Sequence, residues 1–182
     1  SFNGALSNWD VGASTNMYGM FEGASSFDRP INNWDVSKVK TMSRMFYGAS
    51  AFNRDLSNWA TDSVTDFSRM FFEASVFNGQ IDSWDVSQAM DFPFMFNKAF
   101  AFNQDISNWN TVSATNMNGM FNRATNFSQD LSGWCVPNIS TAPIDFDNQS
   151  GLSSSQLPLW GTCACPLTVD LGADTVALCG SY

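Results

Sequence analysis

The stretch that decides the fold runs from residue 45 to residue 59 and reads Met45-Phe46-Tyr47-Gly48-Ala49-Ser50-Ala51-Phe52-Asn53-Arg54-Asp55-Leu56-Ser57-Asn58-Trp59. Its tryptophan belongs to a column, meaning residues at the same position in successive repeats, that recurs every 25 residues at Trp9, Trp34, Trp59, Trp84, Trp109 and Trp134. A second column keeps the same period at Phe2, Phe27, Phe52, Phe77, Phe102 and Phe127. Such a period is typical of a solenoid, in which each coil buries its apolar face by stacking on the next.

The spacing of apolar residues within one repeat predicts its secondary structure. Trp34 and Val36 stand two residues apart, which is the alternation of a short strand. The next apolar residues are spaced by three and four, as on one face of a short helix, at Val39, Met42, Met45, Phe46 and Ala49. We therefore expect an α/β solenoid whose coils each contain one short strand and one short helix. Because packed helices need about 8–10 Å and strands about 4.8 Å, the stack must curve or keep its helices to a single turn.

The repeats occupy residues 1–134, and a segment of different character follows. After Trp134 the sequence Cys135-Val136-Pro137 replaces the Asp-Val-Ser of earlier repeats, and the Met-Phe pair is missing. All the cysteines lie in this segment, at Cys135, Cys163, Cys165 and Cys179. Because the last coil of a solenoid needs a cover, we expect residues 135–182 to form a disulfide-tied C-terminal cap.

The cysteines also predict the compartment. An even number confined to an irregular segment indicates two disulfides, with three possible connectivities. Cys163 and Cys165 are close neighbours that rarely pair together, so each is expected to reach Cys135 or Cys179. A thiolate metal site is the alternative, but the chain has neither Cys-x-x-Cys spacing nor histidine. Disulfides indicate an extracellular protein, and N-glycosylation acceptors give weak support at Asn126, Asn138 and Asn148.

Charge and composition limit the partners and the chemistry. The chain of 182 residues has a net charge of −9, which repels both nucleic acid and anionic lipid. No apolar run is long enough to insert into a membrane. The chain has no histidine, the commonest general base and metal ligand, so we expect no enzyme, cofactor or metal site. A glycosidase pair such as Asp55 and Asp82 is the alternative, although nothing distinguishes it from other surface carboxylates.

One face of the predicted strands is the candidate binding surface. If each tryptophan and the second residue after it point inward, the residues flanking them point outward. That face is flat, acidic and rich in hydrogen-bonding groups, so it fits a glycan, a basic protein or a cation, or it is simply solvated. The candidate binding residues are Asn8, Asp10, Asn33, Asp35, Asn58, Asp62, Asp85, Asn108 and Asn110.

Two other sets of columns allow alternative roles. The aromatic columns are expected in the core, with carbohydrate stacking as the alternative. A polar column follows the core phenylalanine, and its side chains can bond turn backbone groups or stack as a ladder. A row of calcium ligands is the alternative for this column, which consists of Asn3, Asp28, Asn53, Asn78, Asn103 and Ser128.

The whole motif resembles the BspA-like leucine-rich-repeat surface proteins. The resemblance covers residues 1–134 and is seen again in Phe102-Asn103-Gln104-Asp105-Ile106-Ser107-Asn108-Trp109. It implies leucine-rich-repeat-like coils, display at the cell surface and a role in adhesion or in host and matrix contact, with no catalytic residues. The cysteine-bearing tail departs from the motif, as does Ala60-Thr61-Asp62 where other repeats have Asp-Val-Ser.

We therefore expect a non-catalytic extracellular repeat scaffold for cell-surface adhesion or for protein or glycan recognition. The expected partners are an extracellular protein, a glycan or further copies of the chain. The alternative is a structural subunit of an extracellular filament or sheath, because open coil ends invite stacking. We expect preceding repeats, a neighbouring domain or another copy to cover the first coil, which would otherwise expose Phe2, Leu6, Trp9 and Val11.

Overall fold

The computed structural model describes residues 2–163, 168–170 and 175–177. Regular secondary structure is confined to the C-terminal part of these residues. A single 3-10 turn covers Ser154–Gln156, and two short strands follow, β1 (Thr168–Asp170) and β2 (Thr175–Ala177). The strands pair antiparallel with Val169 opposite Val176. No helix in the described part is long and apolar enough to cross a membrane.

The predicted α/β solenoid with leucine-rich-repeat-like strand–helix coils is wrong. Each 25-residue repeat is instead a coil built from successive turns, and the coils stack in register. Strand-like pairing in the described repeats is limited to isolated parallel bridges between neighbouring coils, which join Asn16 to Thr41, Thr41 to Asp66, Asp66 to Asp91, and Asp91 to Asn116. The period identified the stacking unit, but it did not identify the backbone conformation of that unit.

The predicted helix is replaced by turns that share their hydrogen bonds with the next coil. Tyr47 N–H donates to the Arg44 carbonyl at 3.0 Å, which closes a turn inside the coil. Alternate residues donate to the following coil over 2.7–3.0 Å, namely Met42 to Asp66, Arg44 to Ser68, Phe46 to Met70 and Gly48 to Phe72. Because every second N–H leaves the coil, a continuous ladder of bonds to the fourth preceding residue cannot form.

The aromatic columns explain why helices do not fit. The rings of Phe46 and Phe71 stack with centroids 5.4 Å apart, and those of Trp59 and Trp84 with centroids 6.2 Å apart. Adjacent helices need about 8–10 Å, so rings in direct contact bring the coils too close together for helices. The predicted strand fails for a local reason. Turns closed by Trp34 N–H to Ile31 and by Val39 N–H to Val36 leave too few extended residues between them.

The core runs along the whole stack as columns. The phenylalanine column is fully buried from Phe27 to Phe127, and the tryptophan column is 1–4% exposed from Trp34 to Trp134. The prediction that these columns are interior is therefore confirmed. Each of these tryptophans also donates its indole N–H to a carbonyl of the preceding coil over 3.0–3.2 Å.

The polar column forms a ladder, which is one of the two roles predicted for it. From Asn3 to Asn103, each side-chain oxygen accepts the backbone N–H of the same position in the next coil, for example Asn53 Oδ1 from Asn78 N at 2.8 Å. The bond repeats along the stack at Asn3, Asp28, Asn78 and Asn103. These oxygens join one coil to the next, so the observed contacts support the ladder rather than a row of calcium ligands.

The segment after Trp134 first adds to the stack of coils and then covers the end of that stack. Phe121 N–H donates to the Phe146 carbonyl at 2.8 Å, as earlier coils do to their successors. Trp160 packs edge-on against Phe146 with centroids 4.9 Å apart. A disulfide joins Cys135 to Cys163, one of the expected pairings. The prediction of a second bridge falls on Cys165 and Cys179, which lie outside the described residues.

The first coil is partly open. Phe2 is 48% exposed and Trp9 is 55% exposed, whereas Trp59 in the middle of the stack is 2% exposed. Leu6 and Val11 are buried within the coil, so the expectation that they would be exposed with the two aromatic residues is wrong. The turns of this coil bury Leu6, Val11 and Phe21 but leave Phe2 and Trp9 exposed.

Candidate functional site

The predicted binding residues lie on the surface of the stack. All of them are exposed: Asn8, Asp10, Asn33, Asp35, Asn58, Asp62, Asp85, Asn108 and Asn110. We call this set the acidic face. Because the coils repeat the same backbone bonds, neighbouring members of a column stand one coil apart, which gives the face a regular spacing.

Asp10 and Asp35 are neighbours on the acidic face. A Cβ added to Gly12 would lie 3.1 Å from Asp35 Oδ2 and 3.4 Å from Asp10 Oδ1, so both carboxylates border the same small space. In the next coil Ala60 occupies this column and interrupts the row of charge.

These carboxylates also hold turns. Asp35 Oδ1 accepts hydrogen bonds from Ser37 Oγ at 2.6 Å and from Ser37 N at 3.1 Å. Those bonds, from the hydroxyl first and then the backbone, lower the pKa of Asp35 below its ordinary value. Asp85 and Asn110 cap the same turn in their coils. One oxygen of each side chain is therefore structural, and ligand binding by an aspartate would use the other.

A second surface carries cations and aromatic rings. It is formed by the turn segment that the sequence assigned to a helix, and we call it the basic aromatic stripe. Its members are Tyr18, Arg44, Tyr47, Arg69, Phe72, Phe94, Lys98 and Arg123, each at least partly exposed. The sequence analysis did not single out any of these side chains as functional.

In the first half of the stripe, two stacked aromatic rings lie between two cations. Tyr47 and Phe72 stack with centroids 4.6 Å apart and an interplanar angle of 3°. The Arg44 guanidinium lies 4.7 Å from the Tyr47 centroid, and Lys98 Nζ lies 5.7 Å from the Phe72 centroid. Such contacts fix the position of otherwise mobile side chains. Arg44 also pairs with Glu22 at 2.5 Å, and Lys98 with Glu73 at 2.6 Å.

The second half of the stripe contains Arg69 and Phe94. The Arg69 guanidinium lies 5.1 Å from the Phe94 centroid. The ring of Phe94 lies over Gly119, where an added Cβ would overlap it. Among the described residues neither Arg69 nor Arg123 belongs to an ion pair. These two guanidinium groups are the uncompensated charges of the stripe.

The backbone under the stripe is left-handed at two positions in each coil. Arg44, Arg69, Lys98 and Arg123 have φ of 58°, 55°, 58° and 60°. Other coils place glycine in the same two columns, at Gly19, Gly23, Gly48 and Gly119. A left-handed conformation costs a residue with a side chain about 1–2 kcal/mol, so backbone geometry alone favours glycine. The recurrence of glycine in two columns that otherwise hold long side chains was the sequence signal for these turns.

A carboxylate pair lies near the stripe. Asp66 Oδ1 accepts the Ser68 N–H at 2.8 Å, whereas the residue two after Asp91 is Pro93, which has no N–H to donate. Burial first, and then the Asp66 carboxylate, raise the pKa of Asp91 above its ordinary value. No group of three or more Asp, Glu, Cys or His side chains that could hold a metal ion occurs among the described residues.

The glycosylation acceptors are also accessible. Asn126, Asn138 and Asn148 are all exposed. Asn138 Nδ2 donates to the Val112 carbonyl at 2.9 Å, so its side chain is partly engaged. Modification at these positions stays a prediction.

Comparison with known proteins adds a family but no activity. The family model described as "Mycoplasma protein of unknown function, DUF285" matches residues 1–74 and 53–160, which together span most of the chain. No curated protein and no solved structure was found to match the chain.

Proposed function

The chain belongs to the DUF285 family, and from that premise we propose that it is a BspA-like surface protein acting as a non-catalytic extracellular scaffold. Its role in this proposal is cell-surface adhesion or the recognition of an extracellular protein or glycan. No nucleic acid, membrane insertion or cofactor is part of the proposal. The net charge of −9 supports the exclusion of polyanionic nucleic acid as a partner.

One observation carries the proposal: an in-register array of exposed side chains lies over a core that is closed to solvent. The inner aromatic columns are buried, so they are not ligand platforms. Each coil exposes side chains at the same positions as the coil before it. The result is a surface on which similar groups recur at a regular spacing, rather than one enclosed site. Repeat proteins bind partners through extended surfaces of this kind.

The extracellular location has its own support. The Cys135–Cys163 bridge fits an oxidising compartment, and the exposed acceptors at Asn126, Asn138 and Asn148 fit a secretory route. These features support the proposed location at the cell surface, with extracellular partners.

Binding assays with matched charge variants test the proposal. The purified chain is assayed on immobilised extracellular-matrix proteins and glycans. The double variant Asp35→Asn with Asp85→Asn keeps the turn-capping oxygens but removes two charges from the acidic face. The control Asp145→Asn with Asp147→Asn removes the same charge from the last coil. We expect the first pair to weaken binding and the control to leave it unchanged. Equal loss in both variants contradicts recognition by the acidic face.

A filament or sheath subunit is the second candidate. It is favoured by the exposed rings of Phe2 and Trp9, which border an apolar pocket of about 420 Å³. A coil face of this kind accepts another coil, whether from upstream sequence or from another copy. Electron microscopy of native material separates the candidates, because ordered filaments favour the subunit and dispersed particles favour the recognition module.

A further inference from the structure

Positive charge is concentrated on the basic aromatic stripe of a strongly acidic chain. Four of the eight lysine and arginine residues lie there, at Arg44, Arg69, Lys98 and Arg123. Glu22 and Glu73 neutralise Arg44 and Lys98, whereas Arg69 and Arg123 have no ion-pair partner among the described residues. Arg69 and Arg123 are therefore the two cations of the stripe that no ion pair in the described part of the chain neutralises.

The backbone conformation under Arg69 and Arg123 favours glycine rather than arginine. Arg69 stands in a column where two other coils have glycine, Gly19 and Gly119, and its φ of 55° suits glycine better. The same holds for Arg123, whose column contains Gly23 and Gly48. Strained positions of this kind often mark functional sites. Neither Arg69 nor Arg123 belongs to an ion pair of the kind that Arg44 and Lys98 form, as far as the described residues show.

The geometry of the stripe is that of an extended site. Stacked core rings give the spacing of successive coils: the ring centroids of Phe46 and Phe71 are 5.4 Å apart, and those of Phe96 and Phe121 are 5.6 Å apart. Arg69 is held against Phe94, which leaves the N–H groups at the edge of the guanidinium free to donate to an anion. A ligand that spans several coils would meet a cation or an aromatic edge at each step.

We propose that the basic aromatic stripe binds an acidic polysaccharide laid along the axis of the stack, with Arg69 and Arg123 contacting its carboxylate or sulfate groups. A polysaccharide fits because its charges and apolar ring faces both recur along one direction, as the cations and rings of the stripe do. The inference rests on the proposed recognition role, since it names a ligand class for a second surface of the same module.

Other polyanions fit less well. Nucleic acid and anionic membranes present broad fields of negative charge, which a chain of net charge −9 repels outside this narrow stripe. An acidic peptide would gain affinity by pairing with free backbone groups. Here the turn N–H groups at Arg44, Phe46 and Gly48 already bond to the next coil.

Calorimetric titration with heparin and with polygalacturonate tests the proposal, and uncharged dextran serves as the neutral probe. The variants are Arg69→Gly and Arg123→Gly, which insert the residue that other coils use in the same columns. The control is Lys38→Gln, because the next-but-one coil has Gln88 in that column. All variants change the net charge by the same amount, and thermal melting checks that each one folds.

We expect the native chain to bind one or both acidic polysaccharides and not dextran, with affinity falling as salt rises. Each arginine variant should weaken binding on the order of tenfold, the loss of one charged hydrogen bond, while melting no lower than wild type. Lys38→Gln should bind like wild type. Failure of both acidic probes to bind, or equal loss in Lys38→Gln, overturns the proposal, as does tighter binding to duplex DNA or phosphatidylglycerol vesicles. If the chain still binds matrix proteins or glycans through its acidic face, the proposed recognition role is retained although the stripe proposal fails. The failure of the stripe proposal is therefore distinguishable from the failure of the proposed function.

Discussion

The indole Nε1 of Trp59 donates a hydrogen bond of 3.1 Å to the carbonyl oxygen of Ile31, 28 residues earlier in the chain. The same oxygen accepts the backbone N–H of Trp34 at 3.1 Å, so one carbonyl joins a turn to the next coil. Phenylalanine could fill much of the same space but has no N–H to donate. The bond therefore explains why this column is tryptophan while its neighbouring column is phenylalanine.

Replacing Trp59 by phenylalanine should cost about 1–2 kcal/mol, because one of the hydrogen bonds to the buried Ile31 carbonyl is lost. Replacement by alanine should cost about 3–5 kcal/mol, because a cavity is added. Urea unfolding followed by circular dichroism measures both. Trp9→Phe is the control, since Trp9 is 55% exposed and makes no indole hydrogen bond within the described residues. Equal stability of wild type and Trp59→Phe would show that packing alone selects the column.

Sequence reasoning identified the repeat, the buried aromatic columns and the polar ladder because each depends on a column that recurs unchanged. It assigned a helix because Val39, Met42 and Met45 are spaced by three, a spacing that consecutive turns also produce. The left-handed residues that distinguish the two were visible at Gly19 and Gly23, but Arg44 and other charged residues replace glycine in later coils. The contacts within the stripe could not be predicted, because its side chains meet only when the backbone adopts these turns.

Gly79 should not tolerate a side chain, although its column holds arginine or glutamine in other coils. A Cβ at Gly79 would overlap the carbonyl oxygen of Arg54, a backbone atom that cannot rotate away. Gly79→Ala should therefore cost about 1–3 kcal/mol or more, measured by thermal melting. The matched control is Gly133→Ala, where a Cβ would meet no atom within 4 Å. If Gly79→Ala melts like Gly133→Ala, the backbone at Gly79 does not lie against the Arg54 carbonyl.

Asp91 should destabilise the fold at neutral pH. Its pKa is raised by burial and by Asp66, so the folded state holds the proton more tightly than the unfolded state, whose ordinary value is 3.8. The destabilisation is complete above the folded pKa and disappears as pH falls through that pKa to the ordinary value. Asp91→Asn should therefore be more stable than wild type at pH 7, with the difference vanishing near pH 3.8. Asparagine occurs in this column at Asn16 and Asn116.

Asp35→Asn provides the opposite sign for comparison. Hydrogen bonds from Ser37 lower the pKa of Asp35, so its stabilisation is present above the ordinary value and is lost as pH falls through the folded pKa. The variant should be less stable than wild type at pH 7 and equal to it in strong acid. Urea titrations at a series of pH values follow both variants. If Asp91→Asn is no more stable than wild type at pH 7, burial and the Asp66 carboxylate do not destabilise the ionised form of Asp91.

The Cys135–Cys163 bridge should stabilise the C-terminal cover rather than the coils. It closes a loop of 28 residues, for which the chain-entropy model gives about 3.6 kcal/mol. Backbone bonds from Val136 to Thr162 and from Leu131 to Gln156, both 2.8 Å, remain after reduction, so the cover should loosen without separating fully. Hydrogen exchange should rise across residues 151–163 on reduction, while the coils that contain no cysteine keep their protection.

The variant Cys135→Ser should reproduce the effect of reductant, because it removes the same crosslink without exposing the chain to thiol. Mass spectrometry of unreduced protein should recover a peptide pair joining Cys135 to Cys163, and a second pair joining Cys165 to Cys179 if all four cysteines are bridged. Recovery of four alkylatable thiols from native protein would contradict both bridges and remove the main support for an extracellular location. Loss of protection throughout the coils would instead show that the bridge stabilises the whole stack. In that case the cover over the last apolar coil is needed to keep the other coils folded.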